Sequence, residues 1–164
     1  MLTIINENSL NGLTSLKVLD FYASSIEKIE IGSFSDLSAL VIVDYSLNEF
    51  VDIKYGYFSG LQQLEYLELD RNYISTIESG SFTGLDNILA IDLSYNKLNE
   101  IADDLFRGLQ RLVELDFEFN SISSIAVTSF SNLFNLKIRD LSYNSLNSIS
   151  PGTFEDLQSL ASLT

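Results

Sequence analysis

Cysteine, histidine and tryptophan are missing from this sequence altogether, and proline occurs once. Without cysteine there is no disulfide, no thiolate nucleophile and no structural zinc site. The redox compartment is thereby left open. Without histidine the chain cannot build a Ser-His-Asp triad or a histidine metal site. Basic residues are scarce, with 9 Lys and Arg against 23 Asp and Glu. Nucleic acid and anionic membranes both require cationic neutralisation. Neither is expected as a partner, and a basic surface or a cation is favoured. The same acidity would also keep an apolar chain soluble, and composition alone does not choose between these readings.

Long apolar stretches are lacking too. Asp, Glu, Ser or Asn interrupts every run well short of the roughly eighteen residues that span a bilayer, so no direct membrane insertion is expected. The start, Met1 to Asn8, has neither a basic region nor an apolar one and does not read as a signal peptide. No Asn-x-Ser/Thr triplet occurs, which speaks against a glycosylated ectodomain.

What is present is a repeat. Phe recurs at Phe34, Phe58, Phe82, Phe106, Phe130 and Phe154, always 24 residues apart and always followed three residues later by Leu. Asn keeps the same period at Asn48, Asn72, Asn96, Asn120 and Asn144, with Ser24 in the first place. Ile does so from Ile5 through Ile149. One period runs Leu64-x-x-Leu67-x-Leu69-x-x-Asn72-x-Ile74-x-x-Ile77, then a turn, then Phe82-x-x-Leu85. Residues 65–69 alternate with the period of a strand. The buried Asn is placed to bond backbone groups of its own and the adjacent turn. The Phe82-x-x-Leu85 spacing predicts a short helical or 3₁₀ return segment. No single repeat can bury its apolar face, so stacked repeats must share one core, with the Phe column as a spine on the outer side.

These columns resemble the leucine-rich-repeat family, in particular the 24-residue class of extracellular animal receptors and matrix proteins. The segments LTSLKVLDFYASSIEKIEIGSFSDL, LQQLEYLELDRNYISTIESGSFTGL and LDNILAIDLSYNKLNEIADDLFRGL carry the likeness. The resemblance implies an α/β solenoid, a horseshoe with a parallel sheet on its concave face and short helical, 3₁₀ or irregular segments on its convex face. It also implies binding of a macromolecule on the concave sheet, outside the cell or on a receptor ectodomain. A single domain over 1–164 is expected. It contains a partial repeat at 1–13, full repeats at 14–37, 38–61, 62–85, 86–109, 110–133 and 134–157, and a partial repeat at 158–164. Cys-rich caps, usual in extracellular members, are missing. The chain therefore reads as a fragment whose ends expose apolar edges and could self-associate.

The sixth repeat departs from the pattern: Arg139 falls where Val43, Leu67, Ile91 and Leu115 form the core. A buried unpaired guanidinium costs several kcal/mol. The register is expected to hold, with Arg139 snorkelling outward.

The candidate binding face follows from the strand residues that point away from the core. One column is acidic in every repeat: Asp20, Asp44, Glu68, Asp92, Asp116 and Asp140. At a strand spacing of about 4.8 Å these charges repel one another unless cations or hydrogen bonds relieve them. Calcium needs six to eight converging oxygens, more than a linear ladder offers, and no metal or other cofactor is expected. The Asp column has a structural reading as well, in which each carboxylate caps local backbone.

Next to it come Tyr22, Asp70 and Glu118 in one column and Arg71, Tyr95, Phe119 and Tyr143 in the following one. Tyr66, Glu114 and Ile138 belong to the column before the acidic one. Aromatic anchors beside charged groups suit a protein interface, so a protein or peptide with a basic or amphipathic surface is the expected partner. A structural or self-associating scaffold is the alternative. Paired carboxylates such as Asp116 and Glu118 could in principle do glycosidase chemistry, but nothing in the sequence makes a desolvated pocket around them, and no catalytic residue is assigned.

Overall fold

The structure, a computed structural model, describes residues 3–161 and 163, without the side chain of Arg139. The expected placements of Leu2 and of the Arg139 side chain lie outside the described residues. Twelve short strands follow one another without a helix among the described residues. Six of them form one parallel sheet: β2 (Val18–Asp20), β4 (Ile42–Asp44), β6 (Tyr66–Glu68), β8 (Ala90–Asp92), β10 (Glu114–Asp116) and β12 (Lys137–Asp140). Its strands lie side by side in chain order, so each coil of chain adds one strand. The other six are two-residue strands after the Asn column. They pair as β1 (Ile4–Ile5) with β3 (Lys28–Ile29), β5 (Asp52–Ile53) with β7 (Thr76–Ile77), and β9 (Glu100–Ile101) with β11 (Ser124–Ile125).

Alternation fixes which side of the sheet is buried. Leu19, Val43, Leu67, Ile91 and Leu115 point into the core, while their neighbours on either side keep access to solvent. Behind them the Phe column forms the expected spine. Phe58, Phe82, Phe106, Phe130 and Phe154 stack ring on ring, with successive centroids 6.0, 5.7, 6.3 and 5.9 Å apart. Full burial of each such ring is worth roughly 1.5–3 kcal/mol.

The Asn ladder is complete from Asn48 to Asn144. In its central member, Asn96 Nδ2 donates to the carbonyls of Leu69, Leu93 and Ser94, and Oδ1 accepts the Ile74 amide at 2.9 Å. One side chain thus satisfies backbone groups of two adjacent coils, which lets the chain leave the sheet without orphaned polar atoms.

The helical return segment expected after each Phe does not form. The Leu85 amide donates to Phe82 O at 3.2 Å and the Ile88 amide to Leu85 O at 3.1 Å, but these remain separate turns. In four of the repeats a residue with left-handed backbone stands two positions after the Phe, at Gly60, Gly84, Gly108 and Asn132. Positive φ cannot propagate an α- or 3₁₀-helix. At Gly60 (φ +102°) a Cβ would sit 2.4 Å from Phe34 O, so glycine also permits close approach of neighbouring coils.

The misfit at Arg139 is resolved by neither a uniform register nor a uniform slide. Glu114 pairs with Lys137 and Leu115 with Ile138, yet Asp116 pairs with Asp140. Arg139 is the extra residue of a β-bulge. Ile138, expected on the outer face, fills the core position with 2% exposure, and Lys137 takes its place beside Glu114. The bulge absorbs one residue, so the core receives an aliphatic side chain and Asp140 keeps its place in the acidic column.

Candidate binding face on the parallel sheet

The acidic column is real and in register. Asp20 pairs with Asp44, Asp44 with Glu68, Glu68 with Asp92, Asp92 with Asp116, and Asp116 with Asp140. Its aspartates do structural work. Oδ1 of Asp20, Asp44, Asp92, Asp116 and Asp140 accepts the backbone amide two residues on, at distances from 2.6 to 3.0 Å. Each carboxylate closes the turn that ends its strand, and the amide dipole partly offsets repulsion along the column. Both readings of the column therefore meet in one residue type: the aspartates cap backbone and still charge the face.

The third repeat differs. Glu68 is a methylene longer than the aspartates above and below it, and its carboxylate lies with those of Asp70 and Asp92 within 4.8 Å. Three oxygens are fewer than calcium takes, and Asp70 already accepts a hydrogen bond from Arg71 Nη1 at 3.1 Å.

After the capping turn, one residue per coil adopts left-handed backbone: Ala23, Leu47, Arg71, Tyr95, Phe119 and Tyr143, all with φ between 51° and 55°. This is uncommon for non-glycine residues and costs about 1 kcal/mol each. The strain is held in place by pairing. The Tyr95 amide donates to Glu118 O at 2.8 Å and the Phe119 amide to Ser142 O at 3.1 Å, and the adjacent Asn side chain bonds the same turn. Identical backbone geometry in successive coils makes the side chains parallel.

The consequence is a continuous stack on the surface. The Arg71 guanidinium carbon lies 4.8 Å from the Tyr95 ring centroid. Tyr95 stacks on Phe119 at 4.5 Å, and Phe119 on Tyr143 at 4.0 Å with planes 6° apart. All three rings remain exposed, from 37% at Phe119 to 68% at Tyr143. Beside the row, Lys97 Nζ lies 4.5 Å over the Tyr73 ring.

Most of the expected site residues do share this face. Glu68, Asp70, Arg71, Asp92, Tyr95, Glu114, Asp116, Glu118, Phe119, Asp140 and Tyr143 occupy its third to sixth coils. Asp20, Tyr22, Asp44 and Tyr66 lie at its first three coils, where exposed Val18, Tyr22, Leu47 and Tyr66 make an apolar patch. The column of Tyr22, Asp70 and Glu118 is less open than expected, because Ser46 and Ser94 in it are buried. The ring stacking, the cation at its head and the place of Lys137 were not read from the sequence. A period of 24 in aromatic residues was the available signal for the stack.

Comparison with known proteins agrees with this architecture. The family model for leucine-rich repeats matches residues 14–74, 42–98, 64–122 and 110–164, and the chain belongs to that family. Among solved structures it is similar to TLR13, seen in a complex with single-stranded RNA, with 28% identity and a TM-score of 0.69. It is also similar in fold to a chain of the Toll–Spatzle complex of Drosophila, with 23% identity and a TM-score of 0.75. These alignments cover 98% and 97% of this chain but only 26% and 25% of the solved chains, so it spans about a quarter of their length. No curated protein matches it significantly in sequence. No helix among the described residues is long and apolar enough to cross a membrane.

Proposed function

We propose that this chain is a binding module, not an enzyme, which takes a protein or peptide with a basic surface on the outer face of its parallel sheet. The observation that carries the reading is the exposed Arg71–Tyr95–Phe119–Tyr143 stack beside the carboxylate column. Preformed, mutually packed aromatics lose little side-chain entropy on binding and suit an interface anchor. The carboxylates alongside favour a cationic partner and steer its approach.

One neighbour of the same fold is bound to RNA, so the fold alone does not exclude nucleic acid, and the earlier expectation against it rests on charge alone. Charge still favours a basic protein, because net −14 repels a phosphate backbone. An enzymatic reading is disfavoured by the Asp116 carboxylate, which is engaged with the Glu118 amide at 3.0 Å, and by the openness of the sheet. Placement in a receptor-like extracellular chain, as one unit over 1–164, is part of the same proposal. The scaffold alternative is kept apart by light scattering, since self-association would give concentration-dependent mass.

The test is a binding titration with a nona-arginine peptide and with single-stranded RNA, each at low and high salt. Saturable peptide binding that weakens with salt, together with no RNA binding, supports the reading. Preferential RNA binding, or no binding to the peptide, contradicts it.

A further inference from the structure

Away from the sheet, the two-residue strands of the flank pair two by two: β1 with β3, β5 with β7 and β9 with β11. Between β3 and β5 no backbone hydrogen bond joins 27–31 to 51–55 among the described residues. One coil further on the equivalent groups are joined, the Ser75 amide donating to Val51 O and the Glu78 amide to Ile53 O. The side chains match this difference. Ser33 Oγ donates to Ile5 O at 2.9 Å and ties its coil to the one before. At the same place in the next coil stands Tyr57, a buried ring whose hydroxyl donates to Asp52 Oδ1 at 3.3 Å, within its own coil. Along this unpaired stretch runs an open hollow of about 420 Å³, lined from both coils. A second hollow of about 390 Å³ adjoins it and shares Lys28, Lys54 and Tyr57.

From this geometry we infer that the flank between the first two full coils is a second binding site, separate from the sheet, which takes a neutral saccharide such as the end of a glycan chain. Glu27, Glu49 and Asp52 accept from its hydroxyls, and Lys28 and Lys54 donate to them. The exposed Tyr73 ring meets the apolar face of a sugar ring. The backbone amides of Val51 and Lys54, unpaired across the gap, are further donors.

Three observations favour this occupant. First, the fold does not need these side chains. The columns of Glu49, Asp52 and Lys54 hold Ser121, Ser124 and Ala126 in the fifth full repeat, where β11 still pairs with β9. The charged and aromatic residues of the early coils are therefore additions to the scaffold. Second, both signs of charge line the hollow together, and Lys54 Nζ stands 3.3 Å from Asp52 Oδ2. An inorganic anion meets three carboxylates there, and a basic segment meets two lysines. A sugar is neutral, and each of its hydroxyls both donates and accepts. Third, the hollow falls within the roughly 300–1,000 Å³ of small-ligand sites, and its neighbour extends it along the flank. Such a groove accommodates a short run of rings, and it is too open to strip water from a wholly apolar ligand.

The test follows amide chemical shifts of the intact chain while glucose, galactose, mannose and N-acetylglucosamine are titrated in separately. Glycine and inorganic phosphate serve as the competing chemistries. At least one sugar should shift 27–31, 51–57 and 73 saturably, with the same curve at low and high salt. Tyr73→Ala and the double substitution Glu49→Ala/Lys54→Ala should each weaken that binding by roughly tenfold, as the loss of an anchor does. Circular dichroism verifies that the variants fold. No saturable shift at these residues with any of the sugars overturns the inference, as does a response to glycine or phosphate alone. Sugar-induced shifts at 116–119 and 140–143 instead would place the saccharide on the sheet and overturn the separate site. The reading of the sheet as the face for a basic partner is decided independently, by the peptide titration.

Discussion

Phe119 and Tyr143, one coil apart, stack with centroids 4.0 Å apart and planes 6° from parallel, on a surface open to solvent. Two exposed rings in that arrangement need identical backbone beneath them, and φ of 52° and 55° supplies it. The row is therefore a product of the repeat: whatever holds one ring's backbone holds the next.

Removing the middle ring should weaken the row more than its ends. Phe119→Ala deletes two aromatic contacts, each worth about 0.5–1.5 kcal/mol, and should lower stability in urea by roughly 1–2 kcal/mol. Tyr143→Ala deletes one and should cost about half as much. Equal losses would mean that the stacks contribute little beyond buried area.

The Asn ladder should tolerate less. Asn96 is 8% exposed and serves four backbone groups. Asn96→Ala leaves them buried without partners and should cost about 2–4 kcal/mol in equilibrium unfolding. A loss under 1 kcal/mol would indicate that water replaces the side chain.

One core residue is less well satisfied. The Tyr45 hydroxyl is fully buried among Phe21, Phe34 and Phe50 and has no hydrogen-bond partner among the described residues. Tyr45→Phe removes the unpaired group and keeps the ring, so stability should rise by about 1–2 kcal/mol.

Alkaline pH acts on the same region. Burial, the nearby Asp52 carboxylate, the hydrogen bond to it and Glu78 push the Tyr57 phenol up to about 12, and burial raises that of Tyr45 as well. Between the ordinary tyrosine value of about 10 and 12, the unfolded chain binds fewer protons than the folded one, so stability falls as pH rises. It is fully present below pH 10. The melting temperature should stay level up to there and drop between pH 10 and 12, and Tyr57→Phe should flatten its share of the drop. A melting temperature that rises in this window contradicts the assignment.

Most of the scaffold was legible because it is periodic. The Phe, Leu and Asn columns each report one recurring environment, and the structure places them as spine, core and ladder. The return segments were misread because Phe-x-x-Leu fits a helical turn, while in four repeats a left-handed Gly or Asn sits between the two and breaks it. At 137–140 the sequence exposed the misfit of Arg139 but not its resolution. A bulge balances the core demand at Ile138 against the turn-capping demand at Asp140, and no single-residue pattern encodes that balance. The column of Arg71, Tyr95, Phe119 and Tyr143 was visible as candidates, but nothing in those residue types announces the positive φ that stacks them.

The bulge is itself testable. Arg139→Leu restores an aliphatic residue at the periodic core position and should let β12 pair without interruption, raising the melting temperature by a few degrees. An unchanged or lower value would show that Ile138 already fills the core as well as Leu can.

The central claim, that the outer face of the six-stranded sheet is where a basic partner binds, is tested most directly by mapping amide chemical shifts as the nona-arginine peptide is titrated in. The account predicts shifts concentrated at 92–95, 116–119 and 140–143, graded with peptide and suppressed by salt. Shifts confined to the turns around Gly56, Gly80 and Gly108, or none at all, would contradict it.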